Sequence, residues 1–540
     1  MDWNFGDLLD ATARVVPPER PALVCATRQV TWECFDRRTN NVARAMLAAG
    51  LGVGDRVAIL ARNRPEFIEI AAAAFKGRLA HVNINYRYTT AEIEYVLADC
   101  RAAAVFFEAV FADVLAPALR KTGAPKLRVC IGEASTHGRA YEELAGRGSG
   151  QPLNILRSPD DGYLLYTGGT TGRPKGVLWR SADARAVQLE APTIKTTINS
   201  MEDHVAWVRG NPVPGRVIPA CPLMHGAGLN SAMAELVGGG TVVLLPSGRF
   251  DAEELWTHAG IHRATRVLIV GDVFARPMVR ALQAWPRRWD LSALRVISSA
   301  GLMWSTEVKA ALVRLIPQVT LVDILGASEA SGFGYAVTTR DRSTPTGYFE
   351  PGRHTVLIDV GTDRVLGSTE VGEGWLARRA PFAQGYFGDP VKTAATYRTI
   401  GGVRYAIPGD IAARDAQGHL RLIGRNNLCI NTGGEKVYTE EVEEALKRAP
   451  AIEDALVIGV PDPVWGSAVA ALLQVAPDYN EARVRGTLEG ELAVYKIPKH
   501  LVPVAQLPRH PSGKADYAQA ASVFERTRGA AQQPIQPEME

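Results

Sequence analysis

Cysteine is scarce and scattered in this chain. Six occur among 540 residues, at Cys25, Cys34, Cys100, Cys130, Cys221 and Cys429, and no Cys-x-x-Cys or Cys/His spacing links them. That excludes a disulfide framework and a cysteine-built metal site, and the thiols read as reduced and mostly buried. No apolar run approaches the ~20 residues of a membrane span. The opening Met1-Asp-Trp-Asn-Phe-Gly6 has neither a basic segment nor an apolar leader, so the expected compartment is the cytoplasm. An excess of charge is missing too. Sixty basic residues stand against 57 acidic ones, a net +3, so neither nucleic acid nor a membrane surface is an expected partner. With no internal repeat and no long low-complexity segment, small-molecule chemistry is the class left standing.

What is present begins with glycine and threonine. The run Tyr166-Thr-Gly-Gly-Thr-Thr-Gly-Arg-Pro-Lys-Gly176 follows the apolar stretch Gly162 to Leu165. Glycines let a backbone wrap an oxyanion with its N–H groups inward; Thr167, Thr170 and Thr171 add hydroxyl donors and Lys175 adds charge. Gly168, Gly169 and Gly172 complete a phosphate cradle. A Walker loop does not fit, because no glycine stands at the required position before Lys175 and Gly176, not a hydroxyl residue, follows it. Gly50, Gly52 and Gly54 do not make a dinucleotide fingerprint either, since the strand-like Arg56 to Leu60 follows them, and a turn is the better reading. A flexible linker would have no use for the embedded Arg-Pro-Lys-Gly.

The length implies two or more domains. Short branched runs (Val57–Leu60, Ala103–Phe107, Val217–Ala220, Thr241–Leu245, Arg266–Val270, Arg295–Ser298, Thr320–Ile324) alternate with helical patterns (Glu66–Lys76, Ala91–Asp99, Thr306–Leu315). This predicts an α/β fold: a large N-terminal domain of parallel or mixed sheets covered by helices, with ligands at the carboxyl ends of strands. Polar, turn-rich sequence around Gly418 to Asn427 precedes a smaller α+β unit, with a helix over Glu440–Arg448 and strands near Ala455–Val460 and Ala468–Val475. Arg528 to Glu540 reads as a frayed tail.

Four more clusters gain meaning beside the cradle. In Leu325-Gly-Ala-Ser-Glu329, just after a predicted strand, Glu329 offers Mg²⁺ a hard oxygen, although a helix cap is the plainer use of a lone glutamate. Tyr405-Ala-Ile-Pro-Gly-Asp410 puts a carboxylate at a turn, suited to two ribose hydroxyls or to the turn alone. Gly424-Arg425 can reach ribose or phosphate, and Pro511-Ser-Gly-Lys514 holds a late lysine. His225, in Pro222-Leu-Met-His-Gly-Ala-Gly228, reads as structural unless the motif gives it a role. Gly226, Ala227 and Gly228, with Gly332 and Gly334, leave room for a bulky acyl group or serve close packing.

In this order the motifs resemble the acyl-adenylate-forming superfamily, which includes acyl-CoA synthetases, luciferases and peptide-synthetase adenylation domains. The match spans about residues 20 to 520. It also takes in Gly372-Glu-Gly-Trp-Leu376, Gly385-Tyr386, Gly433-Gly-Glu435, Gly459-Val-Pro-Asp462 and Tyr495-Lys-Ile-Pro498. Gly271-Asp-Val-Phe-Ala-Arg-Pro277, Arg398 to Asp410 and Ile430 to Tyr438 resemble the branch of CoA ligases that activate steroid side-chain and fatty acids.

The resemblance implies an N-terminal adenylate-forming domain over residues 1–426 and a mobile C-terminal domain over 427–540. The implied ligands are ATP, Mg²⁺, CoA and an apolar carboxylic acid, with association as a homodimer left open. Lys514 would bridge carboxylate and α-phosphate. Glu329, with Thr167 as a weaker second, would hold Mg²⁺. The loop and Lys175 would grip pyrophosphate, and Ala300, Gly301, Asp323, Leu325, Gly326, Ser328, Asp410 and Arg425 would hold the nucleotide. His225, Gly226, Val270, Gly271, Asp272 and Gly332 would line the acyl pocket. The small domain would turn about Asn427 to present Gly433 and Gly434 to CoA. The chain departs from the superfamily where Leu325 replaces an adenine-stacking tyrosine, Asp323 an asparagine and Asn427 the usual hinge residue. The alternatives are acyl transfer to a carrier protein, an aryl-acid ligase, an amino-acid adenylation domain, for which Met224 to Met233 lacks an acid, and a non-catalytic nucleotide sensor.

Overall fold

The computed structural model describes residues 3–123, 125–132, 137–167, 174–192, 194, 196–211, 213–302, 304–425, 429–509 and 515–531. Two compact units emerge. The first draws on the chain up to Tyr86, Ile93–Thr167 and Lys175–Gly424; the second on Arg87–Glu92 and the chain from Arg425.

The branched runs of the first unit become strands because their side chains are buried on both faces, as covered parallel sheets require. Pro21–Cys25, Thr241–Leu244, Arg216–Pro219, Arg266–Ile269, Val296–Ala300 and Thr320–Leu325 lie side by side in parallel. Gly334–Thr338 and Tyr348–Pro351 then extend the sheet in antiparallel fashion, giving a mixed sheet of fifteen strands among the described residues. Beside it runs an eight-stranded sheet whose centre, Gly162–Thr167, Ala80–Asn83, Arg56–Leu60, Ala102–Glu108 and Leu127–Ile131, is parallel. At its edge Lys175–Arg180 pairs antiparallel with Gly162–Thr167 and with Gly385–Tyr386. The helices Pro65–Lys76 and Thr306–Leu315 fall where their periodicity predicts.

One boundary differs from expectation. Within the polar stretch 418–427, Leu420–Arg425 is a strand paired with Tyr348–Pro351. Leu420 is fully buried while Arg421 points out, a two-residue alternation masked by the turn at Gly418, where φ is +86°. The last helix, Tyr517–Ala531, likewise runs into the segment read as a frayed tail.

In the second unit Ile452–Asp462, Gly466–Val475 and His500–Pro503 form one sheet. Ala455, Val457, Val469, Ala471 and Leu473 enter one core, and Leu456, Ile458, Ala468, Ala470 and Leu472 another, so both faces are covered and the strands read as unbroken apolar runs. The helices Thr439–Arg448, Glu481–Glu491 and Tyr517–Ala531 belong to this unit. No helix among the described residues is long and apolar enough to cross a membrane.

Candidate active site

Four neighbouring parallel strands of the large sheet end together, and the expected residues follow their carboxyl ends, where open sheets place ligands. Arg216–Pro219 leads to His225, which sits half-buried at the N-cap of the helix Gly226–Val237. Arg266–Ile269 leads to Val270, Gly271 and Asp272, with φ of +53° at Gly271, whose N–H donates to the buried Ser299 Oγ at 2.8 Å. Val296–Ala300 closes on Ala300 and Gly301. Thr320–Leu325 carries Asp323 and Leu325 and runs into Gly326, Ser328 and Glu329.

Glu329 begins no helix: it lies in the irregular segment between Thr320–Leu325 and Gly334–Thr338, so the capping alternative falls away. Its side chain is buried, and Tyr386 Oη donates to Oε1 at 2.7 Å. Ala383 N–H and Tyr397 Oη hold its backbone carbonyl at 3.1 and 3.3 Å. Glu329 Oε2 has no hydrogen-bond partner among the described residues. A buried carboxylate oxygen left over in this way suits a hard divalent cation, because an unpaired charge there is otherwise costly. Burial, with the Glu329 carboxylate beside it, pushes the Tyr386 hydroxyl far above the ordinary phenol range, so it remains a donor.

Thr167 and Lys175, at the described ends of the glycine–threonine run, belong to the smaller sheet. Thr167 and Lys175 are register partners at the end of the Gly162–Thr167/Lys175–Arg180 hairpin. Lys175 Nζ lies 2.5 Å from Asp389 Oδ2 and 6.0 Å from the centre of the Tyr386 ring. Tyr386 therefore stands between the cation of one sheet and the carboxylate of the other. Trp179 locks the same junction by donating to the Ser328 carbonyl at 2.8 Å. Burial opposes ionisation of Asp389, but Lys175 and the Lys392 N–H outweigh it and hold this carboxyl below its usual range. Asp389 also caps the helix Pro390–Thr396, accepting from Lys392 N–H at 2.8 Å.

Asp323 is nine-tenths buried, and burial pushes its carboxyl up to about 7; Lys309 works against this and Asp272 adds to it. Burial likewise lowers the Lys309 ammonium, which donates to the Thr344 carbonyl at 3.0 Å. Asp410 opens the strand Asp410–Arg414, half-buried, just after Gly409 at φ +101°. Arg425 closes Leu420–Arg425. In the second unit Gly433 and Gly434, at φ of +58° and +90°, form the two-residue turn between Cys429–Thr432 and Glu435–Tyr438, against Trp465. Gly168, Gly169, Thr170, Thr171, Gly172, Asn427 and Lys514 lie outside the described residues.

The glycines read as pocket space are tightly packed. A Cβ on Gly226 would lie 2.9 Å from Leu165 Cδ1, one on Gly228 2.5 Å from the Pro222 carbonyl, and one on Gly334 2.8 Å from Phe349 Cβ. Gly332, at φ +75°, meets Arg378 and Tyr335 at 3.0 Å, and its carbonyl accepts from Arg378 at 2.8 Å. Close packing, the alternative use, describes these four positions. Tyr386 was legible as half of a Gly-Tyr motif and Trp179 within Lys175-Gly-Val-Leu-Trp-Arg180, but nothing in the sequence marked Asp389 or Tyr397.

A buried carboxylate with an open oxygen, tied through Tyr386 to a lysine at the strand ends of two sheets, is compatible with an AMP-forming type of enzyme, and comparison with known proteins gives the family. The chain belongs to the AMP-binding enzyme family: that family's model matches residues 9–387, and the model of its C-terminal domain matches 441–514. The chain is 36% identical to the medium-chain acyl-CoA ligase Mig of Mycobacterium avium, over 93% of this chain and 94% of that one. It is 35% identical to a 3-oxocholest-4-en-26-oate–CoA ligase of Rhodococcus rhodochrous, over 96% and 95%. Among solved structures, the amide bond synthetase McbA of Marinactinospora thermotolerans superposes with a TM-score of 0.80 at 27% identity, covering 96% of this chain and 99% of that one.

Proposed function

We propose that this enzyme activates an apolar carboxylic acid, a fatty acid or a steroid side-chain carboxylate, and joins it to CoA. In the first step a carboxylate oxygen attacks the α-phosphorus of ATP, forming the acyl–O–P bond as the bond to pyrophosphate breaks. In the second the CoA thiol, losing its proton, attacks the acyl carbon and AMP departs. The observation that carries this reading is the Lys175–Tyr386–Glu329 junction, where a cation and a carboxylate with one unpartnered oxygen are held together beside the hairpin that carries Thr167 and Lys175. Bringing two anions together is the main barrier, so positioning and charge stabilisation are the catalytic work.

In this reading Lys175 and the loop hold the departing pyrophosphate, with Asp389 fixing where the ammonium sits. Glu329 Oε2, with Thr167, would hold Mg²⁺, which supplies charge neutralisation on the phosphates. Asp410 and Arg425 take the ribose and Lys514 the reacting oxygens. His225, Val270 and Asp272 stand toward the acyl group, and Gly433 and Gly434 toward CoA.

A panel of fatty, aryl and steroid acids tests it, scored by pyrophosphate release and product mass with and without CoA. Acyl-CoA formed from the apolar acids is expected, and acyl-AMP alone accumulates when CoA is withheld. Pyrophosphate release that never yields a CoA thioester would point to another acceptor, such as a carrier protein. Lys514→Ala should lose at least a hundredfold in acyl-AMP formation, ~3 kcal/mol of barrier, yet still convert supplied acyl-AMP to acyl-CoA; equal loss of both half-reactions would remove Lys514 from its assigned role.

A further inference from the structure

Among the described residues, the buried cations either pair with a carboxylate or, like Lys309 and Arg414, lie within electrostatic reach of one, and Arg185 departs from this. Arg38 meets Glu69 and Glu142, Arg378 meets Glu190, and Lys76 meets Asp10 and Asp36. Arg185, on the helix Ser181–Leu189, is 1% exposed and has no carboxylate partner among the described residues. Two indoles flank its guanidinium, Trp3 and Trp207, with ring centres at 5.9 and 6.0 Å. Its Nη1 donates to Gln188 Oε1 at 3.3 Å, and its Nη2 lies 3.4 Å from His204 Nδ1. His204 can only accept here: Thr12 Oγ1 donates to the Val237 carbonyl at 2.9 Å and so takes the His204 Nε2 proton across 3.1 Å, leaving Nδ1 bare. Every neighbour is neutral, and burial alone pulls the guanidinium down to about 10. An uncompensated buried charge of this kind is expensive.

Three buried donors in this neighbourhood also lack acceptors among the described residues: Arg185 Nε, Trp3 Nε1 and Ser181 Oγ. Ser181 and Arg185 are one turn apart, on the same face of their helix, and the Trp3 ring lies against the guanidinium. Donors with a full positive charge and no acceptor among them call for a partner that is negative and brings no hydrogen of its own. Water would satisfy the donors but leave the charge. The first turn of the helix adds its own partial positive charge.

We propose that Arg185, Trp3 and Ser181 form a buried binding site for a small monovalent anion of the halide class, chloride being the abundant one. The helix begins where the strand Lys175–Arg180 ends, six residues or about 20 Å from Lys175. The site therefore braces the strand from the far end and takes no part in the reaction. Its readout is stability.

Heat unfolding of the full chain in chloride and in gluconate at equal ionic strength tests this. The midpoint should rise with chloride and saturate, by about 2 °C or more at ~100 mM, and bromide should do the same and give an anomalous peak beside Arg185 in crystals. Arg185→Met should abolish the response. Trp3→Phe, which keeps an aromatic face and loses the N–H, should raise the half-saturating chloride about tenfold, so the site is testable even where Arg185→Met does not fold. Equal midpoints in chloride and gluconate, or a chloride response unchanged by Trp3→Phe, would overturn the proposal, as would bromide density that avoids this cluster.

Discussion

Tyr386 does two jobs with one side chain. Its ring faces the Lys175 ammonium and its hydroxyl donates to Glu329 Oε1, so it ties the Lys175 cation to the carboxylate left with an open oxygen. Tyr386→Phe keeps the ring and removes the donor. Glu329 is then buried with its Oε1 also losing this donor, and leaving such a group unpaired costs about 1–3 kcal/mol. The expected result is a midpoint lowered accordingly in denaturant unfolding, with a higher Mg²⁺ concentration needed for half-maximal pyrophosphate release. Unchanged stability together with an unchanged Mg²⁺ requirement would show that the tyrosine only fills space. Lys175 and Glu329 are legible in sequence because glycine and hydroxyl residues surround them; Asp389 is not, since it looks like any Asp-Pro helix cap until the strand Gly385–Tyr386 is seen against Lys175–Arg180, some two hundred residues earlier.

At the scale of elements, the hairpin Gly162–Thr167/Lys175–Arg180 carries both Lys175 and Trp179, and a glycine sets how closely its strands approach. A Cβ on Gly162 would fall 2.0 Å from the Trp179 carbonyl, so Gly162→Ala must push the strands apart. A cost of about 1–3 kcal/mol is expected, with reduced pyrophosphate release as the hairpin shifts. Gly486, inside the helix Glu481–Glu491, is the opposite case: nothing lies within 4 Å of its Cβ position. Gly486→Ala should therefore stabilise the second unit by about 0.5–1 kcal/mol, and denaturant unfolding of the two variants separates the predictions by sign. The same contrast explains what sequence reading reaches. Buried parallel strands and amphipathic helices announce themselves by period, whereas Leu420–Arg425 hides a strand among turn residues, and the glycines at 226, 228, 332 and 334 report close packing that composition cannot tell from open space.

At the scale of the whole molecule, three buried groups with values in the acid-to-neutral range pull stability in opposite directions. Burial holds His81 at about 4, even though its ring Nδ1 meets Asn83 Oδ1 at 3.0 Å, and burial together with Arg185 holds His204 at about 4. Both are neutral in the fold. As pH falls from about 6.5 toward 4 the unfolded chain takes up protons that these imidazoles cannot, so stability drains by ~1.4 kcal/mol per pH unit for each. Asp323, raised to about 7, does the reverse over nearly the same window. Its ionisation favours the unfolded chain as pH rises from about 4 to 7, so acidification returns ~1.4 kcal/mol per pH unit. For these three groups, two losses against one gain leave a net decline of ~1.4 kcal/mol per pH unit between pH 6.5 and 4, and Glu235 and Glu441, also raised by burial, act on the side of Asp323. Asp323→Asn removes one of the compensating groups. Denaturant unfolding at several pH values should show this variant more stable than the wild type by about 4 kcal/mol at pH 8, with the advantage shrinking steadily toward pH 4 and its own acid decline about twice as steep. Parallel profiles for the two proteins would mean that Asp323 is ionised in the fold at neutral pH, its buried position answered by the Lys309 ammonium.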